Sequence, residues 1–207
     1  MPQRVGILGG TFDPIHKAHL ECAERVYHAC NLDHVLFLPA AVPVFKKNQQ
    51  VTDGLMRKEM CEGALQDKPH FSLCTLELER QGDTYTVDTL EELTLRYPDV
   101  TFFFIVGMDA LVTLPLWKDA DRLAQLAQFV GVTRPGYEFD AAAQRRLDER
   151  GFRYEVVEIE PMTISSTQIR QRVAQGLPIE DFVPDAVCAY IAEKGLYRTS
   201  PQVCALH

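Results

Sequence analysis

Arg4-Val5-Gly6-Ile7-Leu8-Gly9-Gly10-Thr11-Phe12-Asp13-Pro14-Ile15-His16-Lys17-Ala18-His19 is the stretch that decides the architecture. Arg4 to Leu8 is a short apolar run that stops at two glycines. From about His16 to Ala29, Leu20, Ala23, Val26 and Tyr27 recur at helical spacing. The reading is strand, glycine turn, helix. The next apolar run, Val35 to Leu38, is closed by Pro39, and a short run between breakers suits a buried parallel strand.

Working outward, the pattern repeats with interruptions. Residues 40–54 read as a loop rich in Pro, Lys, Asn and Gln, followed by a helix from Met56 to Leu65 and a strand from Phe71 to Leu78. Thr86 to Tyr97 reads as a helix, with Val87, Leu90, Leu93 and Leu95 on its apolar face. It feeds the strongest strand signal, Thr101 to Val106. Phe129 to Thr133 and Tyr154 to Ile159 read as further strands, and Gln168 to Ala174 as a helix. Alternating helix and strand predicts an α/β fold, a parallel sheet with helices on both faces. Such sheets bind ligands beyond the carboxyl ends of their strands. Gly9-Gly10, Pro39 to Lys47, Gly107-Met108-Asp109 and Thr133-Arg134-Pro135 all fall there.

The chain has 207 residues, 46% of them hydrophobic and 24% charged, with no internal repeat. That is enough chain for one well-buried core, and the expectation is a single domain over 1–207. A net charge of -8 argues against a nucleic acid polymer as partner, because phosphate backbones need a basic face. It leaves room for one small anion held by local cations and helix starts. Cys22, Cys30, Cys61, Cys74, Cys188 and Cys204 show no C-x-x-C spacing, and the start of the chain lacks a signal-peptide pattern. Reduced thiols in a cytoplasmic protein are expected, with no membrane span because no apolar run is long enough. Whether the chain forms a homo-oligomer is left open.

Two segments carry the chemistry. Glycines after a strand let backbone approach a phosphate, and a following helix offers N–H groups and a partial positive charge. His16 and His19 are three apart at that helix start, so both rings can meet a polyphosphate. Gly-Gly alone is only a turn, and H-x-x-H alone is half of a metal site; the combination is more specific. Ile164-Ser165-Ser166-Thr167-Gln168-Ile169-Arg170 is the second segment. It reads as a capped helix start that adds hydroxyls and a guanidinium.

Gly-Gly-Thr-Phe-Asp-Pro-x-His-x-x-His near the start and Ile-Ser-Ser-Thr-x-Ile-Arg near the end resemble the nucleotidyltransferase superfamily whose first motif is written H-x-G-H. Within it the chain resembles the bacterial nicotinate-nucleotide adenylyltransferases. Asp83 to Leu90, Ile105 to Asp109, Leu114 to Trp117 and Phe129 to Gly136 look like that family's blocks in order and spacing. The resemblance runs from Val5 to about Tyr197. It implies a Rossmann-like nucleotidyltransferase fold and transfer of AMP from ATP to nicotinate mononucleotide, with Mg2+ arriving on the ATP phosphates and no metal held by the chain itself.

It also implies roles. His16, His19, Lys46 and Arg170 would be catalytic. Gly9, Gly10, Thr11, Phe12, Gly107, Asp109, Ser165, Ser166 and Thr167 would bind ATP. Tyr85, Thr86, Trp117 and Arg134 would bind the nicotinate nucleotide, its ring stacking on the indole of the one tryptophan. Two positions depart from the family. Ala18 stands where it usually has Gly, and Phe45 replaces a histidine, leaving Lys46 or Lys47 to neutralise phosphate. A pantetheine-phosphate adenylyltransferase and a non-catalytic dinucleotide sensor are the alternatives. The role of Asp13 is open between turn stabilisation and ligand contact.

Overall fold

The computed structural model describes residues 2–41, 51–80, 82 and 84–198. Lys46 and Phe45 lie outside them, as does Asp83. Among the described residues, six strands form one sheet: β1 (Gln3–Gly10), β2 (His34–Pro39), β3 (Phe71–Leu73), β4 (Val100–Gly107), β5 (Gln128–Thr133) and β6 (Tyr154–Glu158). Their order is β3-β2-β1-β4-β5-β6 and every pairing is parallel.

Parallel strands buried on both faces read as continuous apolar runs, and β1 and β4 do so. Ile7 pairs with Phe104 and Leu8 with Ile105. Alternate residues of these strands serve opposite cores. Leu8, Phe37, Phe103, Ile105 and Val130 face one cluster with Val26, Met60, Ile169 and Val187. Those last four come from α1 (Lys17–Ala29), α2 (Gly54–Leu65), α8 (Ser166–Ala174) and α9 (Asp185–Lys194). Val5, Ile7, Phe102, Phe104 and Phe129 face the other cluster, with Leu90, Leu111, Leu123 and Leu147. Those belong to α4 (Thr86–Arg96), α5 (Met108–Leu111), α6 (Ala120–Leu126) and α7 (Ala141–Glu149). The expected two-faced α/β sheet is what the chain forms. Among the described residues no helix is long and apolar enough to cross a membrane.

Two expectations change. The strand from Phe71 stops at Leu73, and the rest of the run becomes a helical turn, α3 (Leu76–Glu79). An apolar run of that length fits strand or helix equally. Here Cys74 makes a last backbone bond to Phe37, and Glu77 is then drawn inward by the Thr89 hydroxyl. Leu95 is 82% exposed and lies off the apolar face of α4 formed by Val87, Leu90 and Leu93.

The chain runs outward from β1 through β2 to β3, then crosses back to β4 beside β1 and outward again. The loops leaving β1 and β4 therefore diverge to opposite sides. The crevice at such a reversal is where open α/β sheets bind ligands.

Candidate functional site

Gly9 and Gly10 end β1, and Gly107 ends β4 beside it. A side chain at Gly10 would strike the Phe12 ring at 2.8 Å, whereas at Gly107 nothing lies within 4 Å. Packing thus requires glycine at position 10, and at 107 the backbone is left open to the crevice. A cleft of about 550 Å³ is lined there by Gly9, Gly10, Thr11, Thr86, Gly107 and Trp117.

Two recesses adjoin it. On the α4 side, Thr84, Tyr85, Thr86, Thr113, Trp117 and Lys118 enclose about 470 Å³. Trp117 is half-buried, its indole N–H donates to the Thr113 hydroxyl at 3.2 Å, which fixes the ring's edge, and the residue lines both cavities. On the α1 side, Ala18, Gly107, Asp109, Arg134, Tyr137 and Met162 border about 450 Å³. Arg134 was expected with Thr86 and Trp117. It lines the opposite recess with Asp109, because the loop after β5 opens toward α1 while the segment carrying Trp117 packs on the α4 face.

His16 caps α1 with extended backbone (φ -147°), and its N–H donates to Nδ1 of His19 at 3.2 Å. The rings stack with centroids 3.6 Å apart. Phe12 is 2% exposed and meets the His19 ring edge-on at 5.0 Å, so its side chain buttresses the histidine and only its backbone can face a ligand. Burial lowers the His16 pKa to about 4, and burial with the neighbouring His16 lowers that of His19 to about 3. Both rings are therefore neutral at pH 7. With Nδ1 of His19 accepting a backbone N–H, its proton sits on Nε2, which is the donor left to an anion. Nδ1 of His16 is buried without a hydrogen-bond partner.

The helix start offers fewer N–H groups than expected. Lys17 N–H bonds the Phe182 carbonyl at 2.9 Å and His19 N–H bonds that of His16 at 2.9 Å. The Lys17 ammonium reaches the Glu180 carbonyl.

The second segment is held directly against the first. Ser165 caps α8 by accepting the Gln168 N–H at 3.2 Å. The Ser166 hydroxyl donates to the Pro14 carbonyl at 3.0 Å, and Arg170 Nη1 donates to the Asp13 carbonyl at 2.7 Å. Its Nη2 reaches the Thr167 hydroxyl at 3.3 Å. These bonds use two of the five N–H donors of Arg170 and fix its plane.

Two supporting residues, Arg57 and Glu77, had no signal in the residue pattern, and Asp13 had been open in role. Arg57 is 1% exposed and donates to the carbonyls of Thr11, Ala40, Ala41 and Thr52 at 2.7–2.9 Å. Glu77, 8% exposed, accepts the Thr89 hydroxyl at 3.0 Å and lines the central cleft; burial raises its pKa. Asp13, 4% exposed, is bonded to three other segments and lines none of the three cavities. A lone Arg or Glu in a helix is ordinarily solvated, so only the folded contacts reveal them.

Residues 7–172 match the model of the cytidylyltransferase-like family. The chain is 45% identical over 202 residues to a "Probable nicotinate-nucleotide adenylyltransferase" of Corynebacterium kroppenstedtii, covering 98% of this chain and 94% of that one. It is 42% identical over 199 residues to the protein of the same name in Halalkalibacterium halodurans, at 96% and 93% coverage. The chain belongs to the nicotinate-nucleotide adenylyltransferases. Its fold matches Plasmodium falciparum nicotinic acid mononucleotide adenylyltransferase complexed with NaAD, with a TM-score of 0.76 at 21% identity over 94% of this chain and 97% of that one. As a nicotinate-nucleotide adenylyltransferase it is a nucleotidyltransferase of NAD biosynthesis.

Proposed function

We propose that this adenylyltransferase binds ATP across the α1 side of the crevice and nicotinate mononucleotide in the Trp117 recess, joining them at the central cleft. The observation that carries this is the continuity of the three cavities: the central cleft shares Gly107 with one recess and Thr86, Ala110 and Trp117 with the other. A dinucleotide has that shape, two rings separated by a pyrophosphate.

The mononucleotide phosphate attacks the α-phosphorus of ATP. The bond to the bridging oxygen breaks, and pyrophosphate leaves with the electron pair. That phosphate is largely ionised near neutral pH, its second pKa being about 6. No side chain need remove a proton from it. The protein's contribution is alignment and compensation of charge growing around phosphorus. His19 donates through Nε2, and Arg170 through the N–H groups not bonded to Asp13 and Thr167. Ser165, Ser166 and Thr167 add the start of α8, a natural phosphate site. Asp109 suits a ribose hydroxyl, and Arg134 is assigned to the ATP side with it. Lys46, outside the described residues, is assigned to phosphate on sequence grounds.

Thr86 begins an 11-residue helix whose N–H groups suit the nicotinate carboxylate, with the pyridine ring on Trp117. Among the described residues no three His, Cys, Asp or Glu side chains converge as they would around a metal ion. Magnesium enters as part of the substrate, bound to ATP phosphates. The free thiols of the described cysteines favour work in the cytoplasm, and the single sheet favours one domain.

The test is pyrophosphate release from ATP and magnesium with nicotinate mononucleotide, its amide analogue and phosphopantetheine as parallel acceptors. Turnover with nicotinate mononucleotide well above the other two is expected. Release only with phosphopantetheine, or none at all, would overturn the assignment.

A further inference from the structure

Asp13 joins four segments of the chain. Its Oδ1 accepts the Tyr197 hydroxyl at 2.6 Å, its Oδ2 accepts the Thr52 N–H at 3.2 Å, and its carbonyl accepts Arg170 at 2.7 Å. Thr52 is itself held by Arg57, whose Nε donates to the Thr52 carbonyl at 2.9 Å. Tyr197 follows α9 and its Gly195 cap, and it adopts φ +62°, a region a bulky side chain enters only when its surroundings demand it. What holds it there is on the page: an aromatic ring packed on the α1-side core and a hydroxyl on a carboxylate.

We propose that Tyr197 is a positioning residue for the phosphate cradle: its hydroxyl, acting through the Asp13 carboxylate, sets the Asp13 carbonyl on which the Arg170 guanidinium is oriented. Burial and the adjacent Asp13 raise the phenol's pKa well above its usual value, so the hydroxyl remains a donor over the working pH range. Asp13 cannot rotate to follow a lost partner without breaking its bond to Thr52, since both oxygens of the carboxylate are engaged. A hydrogen bond outside all three cavities thereby sets the direction of the Arg170 charge. The inference rests on Arg170 facing the ATP phosphates.

Tyr197→Phe removes the hydroxyl and nothing else. Turnover should fall about tenfold, the weight of one hydrogen bond to a charged group, with KM for nicotinate mononucleotide unchanged. Combined with Arg170→Lys, the losses should not multiply: once the guanidinium is gone, Tyr197→Phe should cost less than about twofold. Losses that multiply fully would overturn the proposal, as would normal turnover in the single variant. ATP binding without acceptor, measured by titration calorimetry, separates this from the acceptor assignment. If wild-type protein binds ATP but does not turn over nicotinate mononucleotide, the acceptor reading fails. ATP binding weakened in Tyr197→Phe then still supports the positioning role, and unchanged binding overturns it. Should Tyr197→Phe not fold, Asp13→Ala carries the test: it removes the acceptor of both bonds, and a loss at least as large is expected.

Discussion

The backbone N–H of His16 donates to Nδ1 of His19 across 3.2 Å while the two imidazoles lie stacked. The bond makes one histidine orient the other, and it assigns the Nε2 tautomer to His19. Stacking two imidazoles away from water also keeps both uncharged. Their pKa values, about 4 and about 3, lie below the ordinary 6.5 of an unfolded chain. Between pH 6.5 and about 3 the unfolded state therefore binds more protons, and stability falls as pH falls through that window. Carbon-13 shifts of both rings should stay at neutral-imidazole positions down to about pH 5. Titration of either ring near pH 6.5 in the free protein would contradict the stacked arrangement.

His19→Ala should lose roughly 10²- to 10³-fold in turnover, the scale for one preorganised donor to developing charge. The fold should survive, because neither of the two cores that pack on the sheet includes the ring. Steady-state kinetics and a thermal melt together check this, and near-normal turnover would remove His19 from the reaction.

Trp117 is the one tryptophan of the chain, so its fluorescence reports the acceptor recess without labels. Nicotinate mononucleotide should quench it, and ATP alone should do so far less. Trp117→Ala should raise KM for the mononucleotide about tenfold or more, from loss of stacking area. A variant with unaltered KM would mean that the ring serves only to pack.

Arg57→Ala removes the guanidinium donor of four part-buried carbonyls. Each orphaned group costs about 1–3 kcal/mol before water relieves it, so a loss of at least about 3 kcal/mol in unfolding free energy is expected. Arg57→Lys should recover only part of it, since an ammonium has three donors and no fixed fork. Chemical denaturation of the three proteins tests the order.

The parallel sheet was legible because its central strands, β1 and β4, are apolar runs that end at glycine, a pattern with few other uses. The two segments assigned to phosphate stand out for a related reason: Gly9-Gly10 before His16 and His19, and Ser165-Ser166-Thr167 before Arg170, are residue types that a strand-turn-helix core has no need of. Phe71 to Leu78 was ambiguous because period alone does not separate a short buried strand from a buried helical turn. Leu95 misled for the opposite reason, being apolar yet off the buried face. Arg134 lines a different recess from Thr86 and Trp117, and linear order says nothing of which face a loop leaves from. Arg57, Asp13 and Tyr197 were unreadable in role because their partners are backbone carbonyls, or side chains up to 184 positions away. The family resemblance supplied the acceptor, which neither charge nor spacing could name.

Ser166 meets Pro14 and Arg170 meets Asp13 across 152 and 157 positions of chain. A ribosome delivering about 5–20 residues per second therefore exposes the glycine loop on the order of 10 s before the helix that clamps it. Through that interval the nascent chain displays Asp13 and His16 without their final neighbours. A polypeptide released early, lacking α8, would keep much of the sheet yet own no phosphate clamp. On the proposed reading, adenylyl transfer waits until α8 has been synthesised and can close on the glycine loop.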